Sequence, residues 1–260
     1  MTPGGRRTCV VLQPGYLPWL GFFEQMHRAD EFVFLDDVQF DKHGWRNRNR
    51  IRGPEGPLWL TVPIRVSGLG KPHIRDVEID HTQQRWPARH LHALRTCYGP
   101  CPHFDWLYPD LEAVLTQRWT RIAELDIAFI ALLCDKLGLD RRTHRSSELS
   151  LGAAQADGDV RCGRLVEICG RLGCNHYYSG AAARDYLDES RFRQAGISVE
   201  IQHYAHPTYP QRFGGFIPQL SVVDLMFNCG PRSLEIVLGG QAASTPLSPV
   251  TGHLAPSQRE

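Results

Sequence analysis

The densest concentration of chemically capable side chains is Trp45-Arg46-Asn47-Arg48-Asn49-Arg50. In an extended chain this alternation sends the guanidinium groups to one side and the amides to the other. Guanidinium forks suit phosphates and carboxylates; the competing reading is a solvated basic loop. Asp36 and Asp37 are adjacent carboxylates followed by Val38-Gln39-Phe40. Such a pair can position an amine, act as a base or hold a metal, although a continuing strand would turn only one of them toward a site. An N-cap or a loop-solvated pair is the alternative. His206 opens the run His206-Pro207-Thr208-Tyr209-Pro210-Gln211, and Phe216, Ser221 and Asp224 follow in an equally polar and aromatic stretch. An unperturbed imidazole titrates near pH ~6.5, which suits a general base. Ser221 and Asp224 also read as the start of a helix.

Two further segments carry small residues next to polar ones. Gln13, Tyr16 and Trp19 belong to Gln13-Pro14-Gly15-Tyr16-Leu17-Pro18-Trp19, which is either one wall of a ligand crevice or a packed turn. Ser179 and Gly180 precede three alanines, Arg184 and Tyr186. That order suits an oxyanion or phosphate at a helix start, and Ser179 reads equally as an N-cap. The chain has eight cysteines but no C-x-x-C pair, so reduced thiols are expected rather than a zinc site or a disulfide framework. Cys97, Cys174 and Cys229 are the thiols to check for nucleophilic chemistry.

The elements that must position these groups follow from periodicity. Residues 8–12 and 31–35 read as buried strands around a helix at 19–29, the pattern of a βαβ unit in a parallel sheet. Residues 41–56 read as loop, 58–64 and 74–79 as short strands, and the glycine-rich stretch between them as a hairpin or flap. Helices are expected at 84–97, 104–115, 118–137, 159–172 and 190–195, then at 221–227 and 233–238. Strands are expected at 142–146, 175–178 and 197–204. The fold class is therefore α/β, a Rossmann-like open and mainly parallel sheet flanked by helices. Its ligand crevice should lie at the carboxyl edge of the strands, where the segments after residues 12, 35 and 178 emerge.

Composition narrows the possibilities. A chain of 260 residues with 42% hydrophobic residues can bury a sizeable core, read here as one domain over 1–238 with a loose tail over 239–260. A net charge of +1 excludes the electrostatic footprint of a general nucleic-acid binder. The apolar stretch at residues 9–12 is too short for a signal peptide or a membrane span, so a cytoplasmic protein without a membrane partner is expected.

Taken in order, QPGYLPWLGFF, ADEFVFLDDVQF, WRNRNRI with GPLWLTVPI, YYSGAAARDYL and HPTYPQ with GFIPQLSVVDLMFNCG resemble the WbqC-like family over residues 8–235. The resemblance implies a biosynthetic enzyme that attaches an acyl or aminoacyl group, such as glycyl, to an amino sugar or similar amine. Its donor would be a phosphopantetheine-linked thioester on an acyl or peptidyl carrier protein. In that setting His206 or Asp36 would serve as base. Ser179, the N–H groups after Gly180, or Arg184 would hold an oxyanion or phosphate, and Arg46 and Arg48 would engage the donor. The opening strand, turn and helix also resemble those of nucleotidyltransferases and pantothenate-synthetase-like ligases. The H-x-G-H motif of those enzymes is here Trp19-Leu20-Gly21-Phe22, without the histidines that stabilise transferring phosphates. A nucleotidyltransferase or ATP-dependent ligase on the same fold, and a non-catalytic binding protein, are the alternatives.

Overall fold

A computed structural model describes residues 5–66, 70–152, 160–185 and 187–239. The chain opens with β1 (Thr8–Leu12), α1 (Leu20–Arg28) and β2 (Glu31–Phe34), the expected βαβ unit. A long insertion then carries two antiparallel hairpins, β3 (Arg48–Gly53) with β4 (Gly56–Thr61) and β5 (Ile64–Arg65) with β6 (Glu78–Ile79). Three helices follow, α2 (Trp86–Tyr98), α3 (Phe104–Leu115) and α4 (Ile122–Leu137). The chain re-enters the sheet as β7 (Arg142–Arg145), and α5 (Val160–Arg171) leads to β8 (His176–Ser179). The remaining elements are α6 (Glu189–Gln194), β9 (Ser198–Ile201), α7 (Val222–Cys229) and α8 (Ser233–Val237).

The central sheet has five strands in the order β7-β2-β1-β8-β9, all parallel. Counted along the chain this is 3-2-1-4-5, so the direction of winding reverses between β1 and β8. The near-continuous apolar character of the inner strands follows from burial on both faces. Val10, Phe32, Phe34 and Tyr178 face the larger core with α1, α3, α4 and α7. Cys9, Val11, Val33 and Tyr177 face the smaller core under α5 and α6.

Several elements differ from the sequence reading. Residues 41–56 are not all loop, because Arg48–Gly53 is a strand. Its apolar signal is carried by Ile51 alone. Asn49 points inward beside it, while Arg48 and Arg50 remain half-buried on the other side. Residues 74–79 contain a 3-10 turn (Ile74–Asp76) before the two-residue β6. The last sheet strand stops at Ile201, where Gln202 turns its side chain into a buried polar network. Residues 67–69, Tyr186 and the expected tail beyond 239 lie outside the described residues.

Asp126 is a polar exception inside the larger core. It sits on α4 with no exposed surface, and neither carboxylate oxygen has a hydrogen-bond partner. Burial pushes its pKa well above the usual carboxylate value, against the field of Arg46. A carboxyl whose folded pKa is raised is stabilising below its unfolded value of ~3.9 and loses that contribution as pH rises toward the folded value. Asp126→Asn keeps the shape and removes the ionisation. Urea unfolding at pH 5 and pH 8 should show the variant gaining on the parent as pH rises. A pH-independent difference between the two proteins would mean that Asp126 is ionised in the fold.

Candidate functional site at the carboxyl edge of the sheet

The carboxyl ends of β1 and β2 and the amino end of α1 enclose a cleft of about 480 Å³, beside the reversal in strand order. Its walls include Gln13, Trp19, Trp45, Arg46 and Asn49, together with Gln25 and Gln219. The β1–α1 turn is held against the first hairpin by backbone and amide contacts. Tyr16 N–H donates to Trp45 O at 3.2 Å. Asn49 Nδ2 donates to Leu17 O at 2.7 Å and Tyr16 O at 3.2 Å. Asn47 Nδ2 likewise donates to Val62 O at 2.8 Å. The asparagines of the alternating run are therefore staples, and the arginines are left for other partners. Arg46 lines the cleft without a hydrogen bond or ion pair to any described residue, and its Nε is buried and unpartnered. Burial draws its pKa below the ordinary guanidinium value, opposed by Asp126 and Asp41. Arg48 donates to His43 O at 2.8 Å and lies over the Trp59 ring.

The floor of the cleft is set by a relay of amides. Gln202 Nε2 donates to Glu24 Oε2 at 2.6 Å and to Gly21 O at 2.9 Å. Both are pure acceptors, so the Gln202 amide has only one allowed orientation. Its Oε1 must then face Gln25, whose Nε2 donates to it at 3.1 Å. This leaves Gln25 Oε1 buried and without a partner, an uncompensated acceptor that a donor on a ligand would satisfy. Gly180 adjoins this amide: a Cβ there would stand 3.4 Å from Gln25 Nε2. Gln25 and Gln219 were not among the residues singled out from sequence. For Gln25 the available signal was a polar pair, Glu24-Gln25, set between the apolar residues Phe22-Phe23 and Met26 of α1.

Other candidates lie outside the cleft lining. Asp36 follows β2 next to Leu35, which lines the cleft, but its carboxylate is buried. It accepts from Ser147 N at 3.0 Å, Ser147 Oγ at 2.8 Å and Ser146 Oγ at 3.2 Å. Asp37 is paired with Arg164 and accepts from Ser146 Oγ. The two carboxylates tie β2 to the turn after β7 and to α5. His206 also departs from the role of a free base. Its Nδ1 donates to Pro207 O at 2.9 Å, and its Nε2 accepts from Gln219 N–H at 3.1 Å. Neither ring nitrogen is open to a substrate. Its ring stacks on Trp19 at 6.3 Å and so braces two residues of the cleft wall, Trp19 and Gln219.

The remaining expected site residues serve the frame. Tyr16 is buried and its hydroxyl meets His90 Nδ1 at 2.9 Å. Ser179 Oγ donates to Tyr177 OH on the α5 side. Gln39 is exposed and bridges to His73, and Arg184 contacts His203 at 2.6 Å in solvent. Ser221 caps α7 through Val223 N–H. Asp224 gathers Tyr98 OH at 2.7 Å, Tyr209 OH at 2.9 Å and Gln211 Nε2 at 2.8 Å. Phe216 packs on Tyr209 and His206. No cysteine lines the cleft. Burial raises Cys97, and raises Cys229 to about 11. Cys174, lowered by a hydrogen bond from Cys9, precedes β8 at the opposite edge of the sheet. No group of three His, Cys, Asp or Glu among the described residues is placed to hold a metal ion.

The cleft-forming segments coincide with the part of the sequence shared with other proteins. The model of the WbqC-like protein family matches residues 13–236, from the end of β1 into α8. The chain belongs to the WbqC-like protein family. A WbqC-like relative, "Uncharacterized protein Rv1507c" of Mycobacterium tuberculosis (strain ATCC 25618 / H37Rv), is 36% identical over 229 residues, 86% of this chain and 94% of that protein. No solved structure matches the chain significantly.

In this WbqC-like cleft the indole of Trp19 lies directly on the Cα of Gly21: a Cβ there would stand 2.4 Å from the ring. Gly21→Ala should therefore push the indole off the cleft wall, while the higher helix propensity of alanine offsets part of the strain. The expected result is a changed tryptophan emission spectrum with the melting temperature nearly retained. Unchanged emission would place the indole elsewhere.

Proposed function

We propose that the chain is a biosynthetic transferase that moves an acyl or aminoacyl group, such as glycyl, from a carrier-protein thioester to an amino sugar or similar amine. The observation that carries this reading is the pairing of opposite hydrogen-bonding characters in one cleft. Arg46 and Gln13 are uncommitted donors, and Gln25 Oε1 is an uncommitted acceptor. The donors suit a thioester carbonyl whose oxygen becomes an oxyanion. The acceptor suits an N–H of the attacking amine.

The reaction balances without an enzyme nucleophile. The neutral amine nitrogen adds to the thioester carbonyl carbon, and the carbonyl electron pair moves to the oxygen facing Arg46. Collapse re-forms the carbonyl and breaks the C–S bond, and the departing sulfur takes the proton lost by the nitrogen. His206 and Asp36, whose acceptor positions are engaged, act in this scheme as positioning residues. Catalysis then comes from proximity and preorganised donors.

The strand reversal beside the cleft also favours a second reading, an ATP-dependent ligase, because nucleotides bind at such switch points. Incubation with a glycine-loaded carrier protein and candidate amino sugars, followed by mass spectrometry, separates the two. Amide formation without ATP is expected, and Arg46→Ala should lower kcat/KM by roughly 10²-fold. Product formed only with ATP would favour the ligase. Binding of the amine with no product under either condition would favour a binding protein.

A further inference from the structure

The basic residues are unevenly distributed. Residues 42–54 and 81–104 hold eight of the chain's 29 lysines and arginines and no aspartate or glutamate, although the whole chain carries 28 acidic residues. The first stretch leads into and forms β3, and the second carries α2. β4, the hairpin partner of β3, and α2 line a groove of about 630 Å³ whose walls include Asn47, Trp59, Trp86 and Arg89, and Arg48 and Arg50 reach its edge through the Trp59 ring. Arg48 and Arg50 on the hairpin, and Arg85 and Arg89 at the start of α2, form no ion pair with a described residue. Arg85 and Arg89 are exposed neighbours one helical turn apart. Trp45 and Trp59 are 43% and 46% exposed and stack on each other at 5.3 Å. Trp45 also lines the cleft, so the cationic face is continuous with the cleft wall.

We infer that this face, the β3–β4 hairpin with the start of α2, is the docking surface for an acidic carrier domain that passes its thioester arm along Trp45 into the cleft. The inference rests on the acyl-transfer reading for the arm and on charge complementarity for the partner. A small amine needs no unpaired arginines outside the cleft. A single-stranded nucleic acid would use open aromatic faces for base stacking. Here the guanidinium groups already lie on the rings, Arg48 at 5.1 Å from the Trp59 centroid and Arg50 at 5.3 Å from that of Trp45. Guanidinium groups oriented in this way are ready to meet carboxylates.

The test uses the full chain and the double substitution Arg85→Glu with Arg89→Glu, two exposed positions outside the cleft lining. The probes are an acidic acyl carrier protein in its holo form, loaded with glycine, and glycyl-N-acetylcysteamine, a small thioester that resembles the end of the arm. Charge reversal should weaken carrier binding at least tenfold, followed by tryptophan fluorescence, and the weakening should shrink as salt is raised. KM for the loaded carrier should rise to match while kcat, and kcat/KM for the small thioester, stay unchanged. Carrier binding that ignores the charge reversal would overturn the docking face. So would binding of a single-stranded RNA oligonucleotide, lost in the variant, where the carrier does not bind. If the parent forms no amide from either thioester, the transfer reading fails by itself, and the binding titration still decides the surface.

Discussion

The reversal of strand order between β1 and β8 is the constraint on which the site depends. Neighbouring parallel strands wound in the same direction are covered at their carboxyl edge by the connections leaving them. Where the winding reverses, the connection after β1 leaves to one side and that after β8 to the other, and the edge between them stays open. Gln13 follows β1 and Gly180 follows β8, so the sequence on both sides of the opening is short, polar or small. Everything else that shapes the cleft is brought to this opening from outside the sheet. The hairpin of β3 and β4 comes from the insertion after β2, and Gln219 comes from the irregular segment before α7.

An opening of this kind must be kept from collapsing, and buried polar groups do that work. Glu24 is nearly fully buried. It accepts from Tyr178 OH at 3.0 Å, from Gln202 Nε2 at 2.6 Å and from Arg28 Nε at 2.6 Å. Its charge orients Gln202, and Gln202 orients Gln25. Asp224 does the equivalent for the irregular segment by gathering the hydroxyls of Tyr98 and Tyr209 and the amide of Gln211. Arg52 holds the same segment by donating to the carbonyls of Arg212, Phe213 and Gly214. Removing one partner from such a network leaves the others desolvated and unpaired, at a cost of several kcal/mol in a fold whose net stability is only ~5–15 kcal/mol. The segments behind the cleft are thus braced by networks in which each polar partner depends on the others.

The parallel sheet was legible from sequence because its strands are short apolar runs bounded by turn residues, and the β1–α1–β2 unit is close to its reading. The hairpin of β3 and β4 was not, because a strand with one face in contact with the staples of the β1–α1 turn carries asparagines where a core strand carries valines. Periodicity measures hydrophobicity, and here the inward face is polar. Trp19, Trp45, Arg46 and Asn49 share the cleft; within the strand the alternation separates Asn49 from Arg48 and Arg50, whereas Arg46 precedes the strand. Asp36 and His206 were singled out for what their side chains can do in isolation. Sequence shows the capability of a carboxylate or imidazole but not whether its lone pairs are already taken, and Ser146, Ser147 and the Gln219 N–H lie far from them in the chain. Gln25, marked in sequence only by its place in a polar pair, shows the converse: an amide in a helix is unremarkable until its neighbours leave one of its atoms unpaired.

These placements bear on how a cleft whose lining, among the described residues, holds no imidazole, carboxylate or thiol can work chemically. Proton transfer is one route to rate enhancement, and fixed dipoles aimed at developing charge are another. The second route requires that the dipoles not relax around the ground state. Gln25 meets that requirement because its orientation is dictated through Gln202 by a buried carboxylate. Arg46 meets it in part because its Nε is buried and unpartnered, while Asp126, whose field reaches it, offers no hydrogen bond. An ionised Asp126 would hold Arg46 as half of an ion pair and weaken its pull on a ligand. A protonated Asp126 leaves the guanidinium charge directed at the cleft. The upward shift of this core carboxyl, unfavourable for stability, favours the form of Asp126 that leaves the Arg46 charge uncompensated.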